Sequence, residues 1–316
     1  MATGSTKAIY AALFANLGIA IAKFVGWFFT SSSSMLAEAI HSVADTSNQA
    51  LLLLGGRRAK LAATPEHPFG YGRERYFWSF VVSLILFSLG GMFAIYEGFL
   101  KLGEAAHELG NLGWAIGILS FAILLEGYSF RTAIHESRPL KGRSSWWQFV
   151  RHSRNPELPV VLLEDFGALT GLGLALAGVT TAAITGDSRW DAYGTIGIGV
   201  LLVAIAIVLA IEMKSLLIGE SAVKEVRRRI VAAIEAGGAN AVIHMRTEHL
   251  GPDELLVAAK VQFPARLGTV ALTDEIDAAE TRIRDAVPIA RLIYLEPDMT
   301  DPNHPDLADE STDVNA

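Results

Sequence analysis

The sequence predicts an α-helical membrane protein, six transmembrane helices followed by a small C-terminal domain of order αββαβ. Three observations carry that expectation. Of 316 residues, 51% are apolar and only 19% are charged, against about 25% charge in an ordinary soluble domain, and mean hydropathy is +0.36. The apolar residues gather into runs close to the ~20 that a bilayer-crossing helix needs. After residue 213 this texture gives way to amphipathic and alternating patterns.

Charge-free runs of 21 residues separate Arg75 from Glu97 and Asp165 from Asp187; one of 20 separates Asp191 from Glu212, and one of 17 separates Glu108 from Glu126. Two weaker segments precede them. Residues 7–29 carry no charge apart from Lys7 and Lys23, and residues 35–55 no charged or histidine side chain apart from Glu38, His41 and Asp45. Lys23 lies near one end of its segment, where its ammonium can snorkel to the interface. The expected spans are 7–29, 35–55, 77–100, 113–136, 158–184 and 191–213. One such run is compatible with a buried core helix; a succession of them is not. No A-x-A-like site follows the first run, so it reads as a span and not as a cleaved signal peptide.

Ser221–Ala236 places Val223, Val226, Ile230, Ala233 and Ile234 along one side of a helix, with Arg227, Arg228 and Arg229 largely on the other. Gly237 and Gly238 end it. Two strands follow, Ala241–Glu248 and Glu254–Phe263, joined by the turn Gly251-Pro252-Asp253; then come a helix over Asp274–Ala286 and a strand over Ala290–Leu295. The expected divisions are a transmembrane domain at 1–213, an α+β domain at 214–297 and an acidic, disordered tail at 298–316.

Lys and Arg fall on one side of the spans. Arg57, Arg58, Lys60, Arg73 and Arg75 sit in the 56–76 loop, and Arg138, Lys141, Arg143, Arg151 and Arg154 in the 137–157 loop. The opposite loops hold only Lys101 and Arg189, which puts both termini and the α+β domain in the cytoplasm. Six of the acids behind the formal net charge of −7 lie in residues 298–316, leaving 27 acids against 26 bases elsewhere. A body so nearly neutral argues against a nucleic-acid partner. The absence of cysteine excludes disulfides, thiolate metal sites, iron–sulfur clusters and cysteine nucleophiles. Any metal chemistry runs on His, Asp and Glu.

Ionisable groups inside spans are costly and therefore functional candidates. His41 and Asp45 lie four apart on the second helix, on one face and about 6 Å apart along its axis. An imidazole and a carboxylate so spaced either share a divalent ion or form a buried structural pair. The fifth span opens on Leu163-Glu164-Asp165, with Asp165 about 10 Å into a helix of opposite direction, so the two sets meet at similar depth. Nitrogen and oxygen donors without sulfur fit Zn²⁺, and also Mn²⁺, Fe²⁺, Co²⁺ or Cd²⁺. Asn16, Asn48, Gln49, Glu97, Glu126 and Arg131 also lie within or at the edges of spans. Glu126 and Arg131, five apart, read as a structural ion pair ahead of a transport role, and Glu38 reads as an outer-mouth acid or a polar helix-end residue.

The run Ser33-Ser34-Met35-Leu36-Ala37-Glu38-Ala39-Ile40-His41-Ser42-Val43-Ala44-Asp45, followed by His67-Pro68-Phe69-Gly70-Tyr71-Gly72-Arg73 and by Tyr96-Glu97-Gly98, resembles the cation diffusion facilitator family. The resemblance covers about residues 5–297. It implies a homodimer in the lipid bilayer, each protomer with six helices and a ferredoxin-like, metallochaperone-like cytoplasmic domain. It also implies export of divalent metal, usually Zn²⁺, in exchange for protons. The family's intramembrane site takes an i, i+4 pair from the second helix and another from the fifth. His41 and Asp45 match the first pair and Asp165 the acidic position of the second, but Val161 stands four residues earlier and has no donor. Glu164 is the substitute, about 100° around the helix from Asp165. The implied metal-site residues are thus His41, Asp45, Asp165 and Glu164. A further metal near Glu66 and His67 is suggested by the same resemblance, although Tyr71 replaces a ligand there. In the α+β domain His244, His249 and Glu296 are scattered and Tyr294 stands where some relatives place a ligand histidine, so dimer packing is the expected role, with regulatory metal binding the alternative. His304 in the tail has no expected role.

The expected function is secondary transport by alternating access, not catalysis, with no prosthetic group. Metal loads onto neutral His41 and ionised Asp45 and Asp165 with release of protons; protons from the other side, competing at an imidazole of ordinary pKa about 6.5, displace it. The expected location is a bacterial inner membrane. Two rivals remain. An intramembrane metallohydrolase would need an HExxH-type base, which the sequence lacks. A non-transporting metal sensor or scaffold is suggested by Val161.

Overall fold

The computed structural model describes residues 3–103, 112–239 and 241–299, with only the backbone for residues 3–15 and 112. The chain divides into two compact units, residues 1–57 with 75–214, and residues 58–74 with 215–316.

The first unit is helical. Helix α1 spans Thr3–Thr30 and α2 Ser33–Arg58. Helix α3 (Glu74–Ile85) continues through a π-helical segment (Leu86–Met92) into α4 (Phe93–Gly103). Helices α5 (Leu112–Lys141), α6 (Trp146–His152), α7 (Glu157–Thr185) and α8 (Arg189–Ile218) follow. Four rods, Glu74–Gly103, Gly113–Lys141, Glu157–Thr185 and Arg189–Ile218, are long and apolar enough to cross a membrane. Helix α2 has the length, but its polar residues lower its hydropathy. The helices coincide with the expected spans and overrun them, because polar flanking residues continue the same hydrogen-bonded ladder.

Two features depart from the sequence expectation. The third rod is not uniformly α-helical, since Leu86–Met92 winds as a π-helix around Gly90-Gly91. The 137–157 loop carries α6, which opens on a reciprocal cap: Ser145 Oγ accepts from the Gln148 N–H at 3.1 Å, and Gln148 Oε1 accepts from the Ser145 N–H at 3.0 Å.

Side-chain polarity in this unit runs inside out. Helix α2 buries Ser33, Ser34, Glu38, His41, Ser42, Asp45 and Asn48, while Leu124 and Ile184 are 72% and 80% exposed. Lipid tolerates that arrangement where water would not. Small residues set the crossings. Helix α7 buries Gly167, Ala168, Gly171, Ala175, Gly178 and Ala182 at helical spacing, a pattern that lets backbones approach closely.

The second unit consists of α9 (Lys224–Glu235), β1 (Ala241–Gly251), β2 (Glu254–Gln262), α10 (Thr269–Ala286) and β3 (Ala290–Asp298). The sheet order is β1-β2-β3. The hairpin β1–β2 is antiparallel, and β2–β3 is parallel, so α10 serves as the crossover. Strand β2 alternates strictly, and Leu255, Val257, Ala259 and Val261 form a core with Ile230, Ile234, Ile283 and Ile293. Strand β3 runs beyond Leu295 because Glu296, Pro297 and Asp298 pair with Lys260, Val261 and Gln262. Residues 58–74 belong to this unit: Arg73 pairs with Glu248, and a Cβ at Gly72 would lie 2.7 Å from the Leu250 carbonyl oxygen. Of the acidic segment, residues 300–316 and with them His304 lie outside the described residues.

Candidate metal centre

Helix α2 supplies the centre. His41 and Asp45 lie on its buried face with exposures of 0% and 7%, and His41 Nδ1 stands 3.5 Å from Asp45 Oδ1, too far for a strong hydrogen bond. Neither His41 ring nitrogen nor Asp45 Oδ1 has a protein partner. Buried polar atoms are nearly always paired, because an unpaired one forfeits about 1–3 kcal/mol of solvation. The open face thus holds one imidazole lone pair and the Asp45 Oδ1 lone pairs, a combination that fits a cation.

Glu164 of α7 is the acid that meets this pair. It is 6% exposed, its carboxyl lies within hydrogen-bonding reach of Asp45, and Asn48 Nδ2 donates to its Oε1 at 2.7 Å. The sequence expectation gave Asp165 the leading role on this helix. The structure turns Asp165 toward α5, where Ser129 Oγ donates to its Oδ2 at 3.0 Å. The cause is the 100° step between successive helical residues: one of two adjacent acids faces α2 and the other cannot. Val161 packs beside Ala133, Val150 and Leu162. Among the described residues no three His, Asp or Glu side chains are already gathered at metal-binding distance.

Other acids surround the centre. Glu126 of α5 is 8% exposed and acts electrostatically on Asp45, Glu164 and Asp165. It forms no ion pair with Arg131, which is exposed. Lys23 does not snorkel; its ammonium is buried against Glu38 Oε2 at 3.0 Å and Ser42 Oγ at 2.8 Å. Gly171 of α7 leaves room for Glu38, whose Oε1 would lie 2.6 Å from a Cβ there. On the far side of His41 the π-helical segment presents Gly90, whose Cβ would lie 3.8 Å from Nδ1.

The remaining sequence candidates stand apart. His67 stacks on Tyr71, ring centroids 4.6 Å apart, and Glu66 is exposed. His244 and His249 are buried on β1, Glu296 lies 4.0 Å from Lys260, and Tyr294 is 56% exposed. The sequence placed Asn48 within a span without a role and read Lys23 as snorkelling to the interface. Spacing carried the signal for Asn48, three residues after Asp45 and seven after His41.

A buried helix face of open nitrogen and oxygen atoms thus lies among apolar rods long enough to cross a membrane. Residues 9–218 match the cation efflux transmembrane domain, and the chain belongs to that family, the cation diffusion facilitators; it is a multi-pass membrane protein. It is 33% identical over 259 residues to the proton-coupled zinc antiporter SLC30A9, mitochondrial, of Xenopus laevis, covering 81% of this chain and 46% of that protein. It is 29% identical over 268 residues to metal tolerance protein C4 of Arabidopsis thaliana, covering 83% and 58%. It is 24% identical over 233 residues to magnetosome protein MamM of Magnetospirillum gryphiswaldense, covering 73% and 68%. The chain spans about half the length of the zinc antiporter relatives it matches.

Proposed function

We propose that this protein is a secondary transporter that exports a divalent metal ion across a membrane in exchange for protons, with Zn²⁺ as the principal cargo. The observation that carries the reading is the set of unpartnered donors on α2, His41 Nδ1 and Nε2 and Asp45 Oδ1, opposite the Glu164 carboxyl. Support comes from family membership and from a relative named a proton-coupled zinc antiporter. The same donors suit Mn²⁺, Fe²⁺, Co²⁺ and Cd²⁺.

The residues work as follows. We assign the exchanged proton to Asp45 and Glu164, two carboxyl groups within hydrogen-bonding reach of each other. A divalent ion entering between α2 and α7 takes the place of that proton, and neutral His41 adds a nitrogen donor. Loading therefore releases protons, and protonation from the opposite side expels the metal. Asp165 is turned toward Ser129 of α5 in this structure and is assigned to the ligand set only in the opposite-facing state.

In this reading six helices, α1, α2, the α3–α4 rod, α5, α7 and α8, cross a bacterial inner membrane. Both termini and the ferredoxin-like α/β unit lie in the cytoplasm, and two chains form the homodimer. The domains fall at 1–213 and 214–297, with an acidic tail at 298–316. A second reading, a sensor that binds metal without moving it, is favoured by Val161, whose apolar packing leaves the family's usual fifth-helix position without a donor. Everted vesicles separate the two. Saturable uptake of Zn²⁺, Mn²⁺ or Fe²⁺ with proton counterflow is the expected result; no saturable uptake of any ion favours the sensor.

A further inference from the structure

We infer that Asn48 joins His41, Asp45 and Glu164 at the metal site: its amide N–H₂ holds the Glu164 carboxylate in place, and its own carbonyl oxygen, Oδ1, is a donor to the cation. The inference rests on the proposed function and adds a residue to its ligand set.

Asn48 stands three residues after Asp45 and seven after His41, so the three side chains share one face of α2. It is fully buried at 0% exposure. Its Nδ2 donates to Glu164 Oε1 at 2.7 Å across the α2–α7 crossing. A carboxamide carries donors at one end and an acceptor at the other. A purely structural clamp between two helices accounts for the donor end and leaves the acceptor end without a purpose. Oδ1 is buried and has no protein partner, although a buried amide oxygen is ordinarily bonded.

That orphan is not isolated. Both His41 nitrogens and Asp45 Oδ1 are open on the same helix face. All four atoms offer lone pairs, apart from whichever imidazole nitrogen carries hydrogen. Lone pairs turned toward one another repel in a low-dielectric interior and are reconciled by a cation. Asn48 extends the donor set past Asp45: Asp45 and Asn48, about one turn apart on α2, and Glu164 across from them offer three oxygens, while His41, about 10 Å along the axis from Asn48, serves the other side of Asp45. Water completes four-coordination, and no donor is needed at Val161. An oxygen-rich set also leans toward harder ions than an imidazole-rich one, so Asn48 bears on which metal is preferred.

The test uses the full-length protein purified in detergent, with Zn²⁺ and Mn²⁺ titrated against a fluorescent chelator and folding checked by size exclusion. Asn48→Leu, similar in size but without polar atoms, is expected to weaken Zn²⁺ binding at least about tenfold, the lower bound for losing a group that orients a ligand. Asn48→Asp keeps oxygen donors and adds charge. It is expected to retain Zn²⁺ binding and to raise Mn²⁺ affinity relative to Zn²⁺ about threefold or more, since carboxylate suits the harder ion. Zn²⁺ affinity within about twofold of the parent in Asn48→Leu overturns the inference. If Asn48→Leu does not fold, Asn48→Asp decides: a shifted metal ratio supports the assignment and an unchanged ratio overturns it. Asp45→Asn tells the two levels apart. Loss of binding there with Asn48→Leu unaffected removes Asn48 and leaves the site; parent-like binding in Asp45→Asn removes the site itself.

Discussion

Lys23 Nζ lies 3.0 Å from Glu38 Oε2, with the two side chains 1% and 0% exposed. The pair ties α1 to α2 a single turn before His41, and Ser42 Oγ accepts a second hydrogen bond from the same ammonium. A charge pair so thoroughly removed from water is stable only as a pair.

Breaking one half of it exposes the cost. Lys23→Met strands the Glu38 carboxylate and is expected to lower stability by about 3–5 kcal/mol. The double variant Lys23→Met/Glu38→Gln is expected to recover most of that loss, because no unpaired charge remains. Thermal melting of the detergent-purified protein, followed by tryptophan fluorescence, measures both.

Asp191 of α8 holds the first turn of α2. Its Oδ2 accepts from the Ser33 N–H at 2.7 Å and from Ser33 Oγ at 3.0 Å, and its Oδ1 accepts from Ser32 Oγ at 2.9 Å. Ser34 Oγ donates to the same oxygen. One carboxylate thus does the work of an N-cap from another helix. Asp191→Ala is expected to fray this turn at a cost of about 1–3 kcal/mol. Faster hydrogen exchange at residues 33–36, with α7 unchanged, is the signature.

Close helix crossings predict a sharp contrast between glycines. A Cβ at Gly98 would lie 2.6 Å from Ile196 Cγ1 and 3.1 Å from the Ala192 carbonyl oxygen, whereas one at Gly117 would meet nothing within 4 Å. Gly98→Ala is expected to cost about 1–3 kcal/mol through overpacking. Gly117→Ala is expected to be neutral or slightly stabilising, as helix propensity favours alanine. The two melting temperatures, read side by side, check the α4–α8 crossing.

In the α/β unit the Gly238 backbone N–H donates to Glu275 Oε1 at 2.8 Å, and Arg282 Nη2 donates to the same oxygen at 2.7 Å. These contacts, the backbone one foremost, hold the Glu275 carboxyl below its ordinary value of 4.5. A carboxyl whose folded value is depressed stabilises the fold above the unfolded value, and the effect is lost as pH falls through the folded one. Glu275→Gln is therefore expected to lower protection of the sheet amides near pH 7, with the gap from the parent closing below about pH 4. Hydrogen exchange compared at matched pH reads the difference.

Much of this architecture was legible in the sequence, because bilayer thickness and helical rise fix the length of an apolar run and Gly, Pro and Asp mark the β1–β2 turn. The burial of His41 and Asp45 was legible as well, since an ionisable side chain inside an apolar segment is costly and marks a functional candidate. Orientation about the axis of α7 was not. Glu164 and Asp165 are adjacent, and only the neighbours of α7 decide which one faces α2. Lys23 was misjudged for a related reason: its place near a helix end suggests an escape to the interface, while its partner Glu38 lies on another helix. The π-helical turn at Gly90-Gly91 leaves no pattern in hydropathy; there the rod packs closely on Leu202 and Val203.

The central claim, that metal and protons exchange at His41, Asp45 and Glu164, is tested most directly in proteoliposomes reporting Zn²⁺ flux and lumenal pH together. The parent protein is expected to move Zn²⁺ with an opposite proton current. Asp45→Ala and Glu164→Gln are expected to lose both signals at least about tenfold. Asp165→Asn, in contact with Ser129 rather than α2, is expected to lose less. Undiminished zinc-driven proton flux in Asp45→Ala would contradict the account.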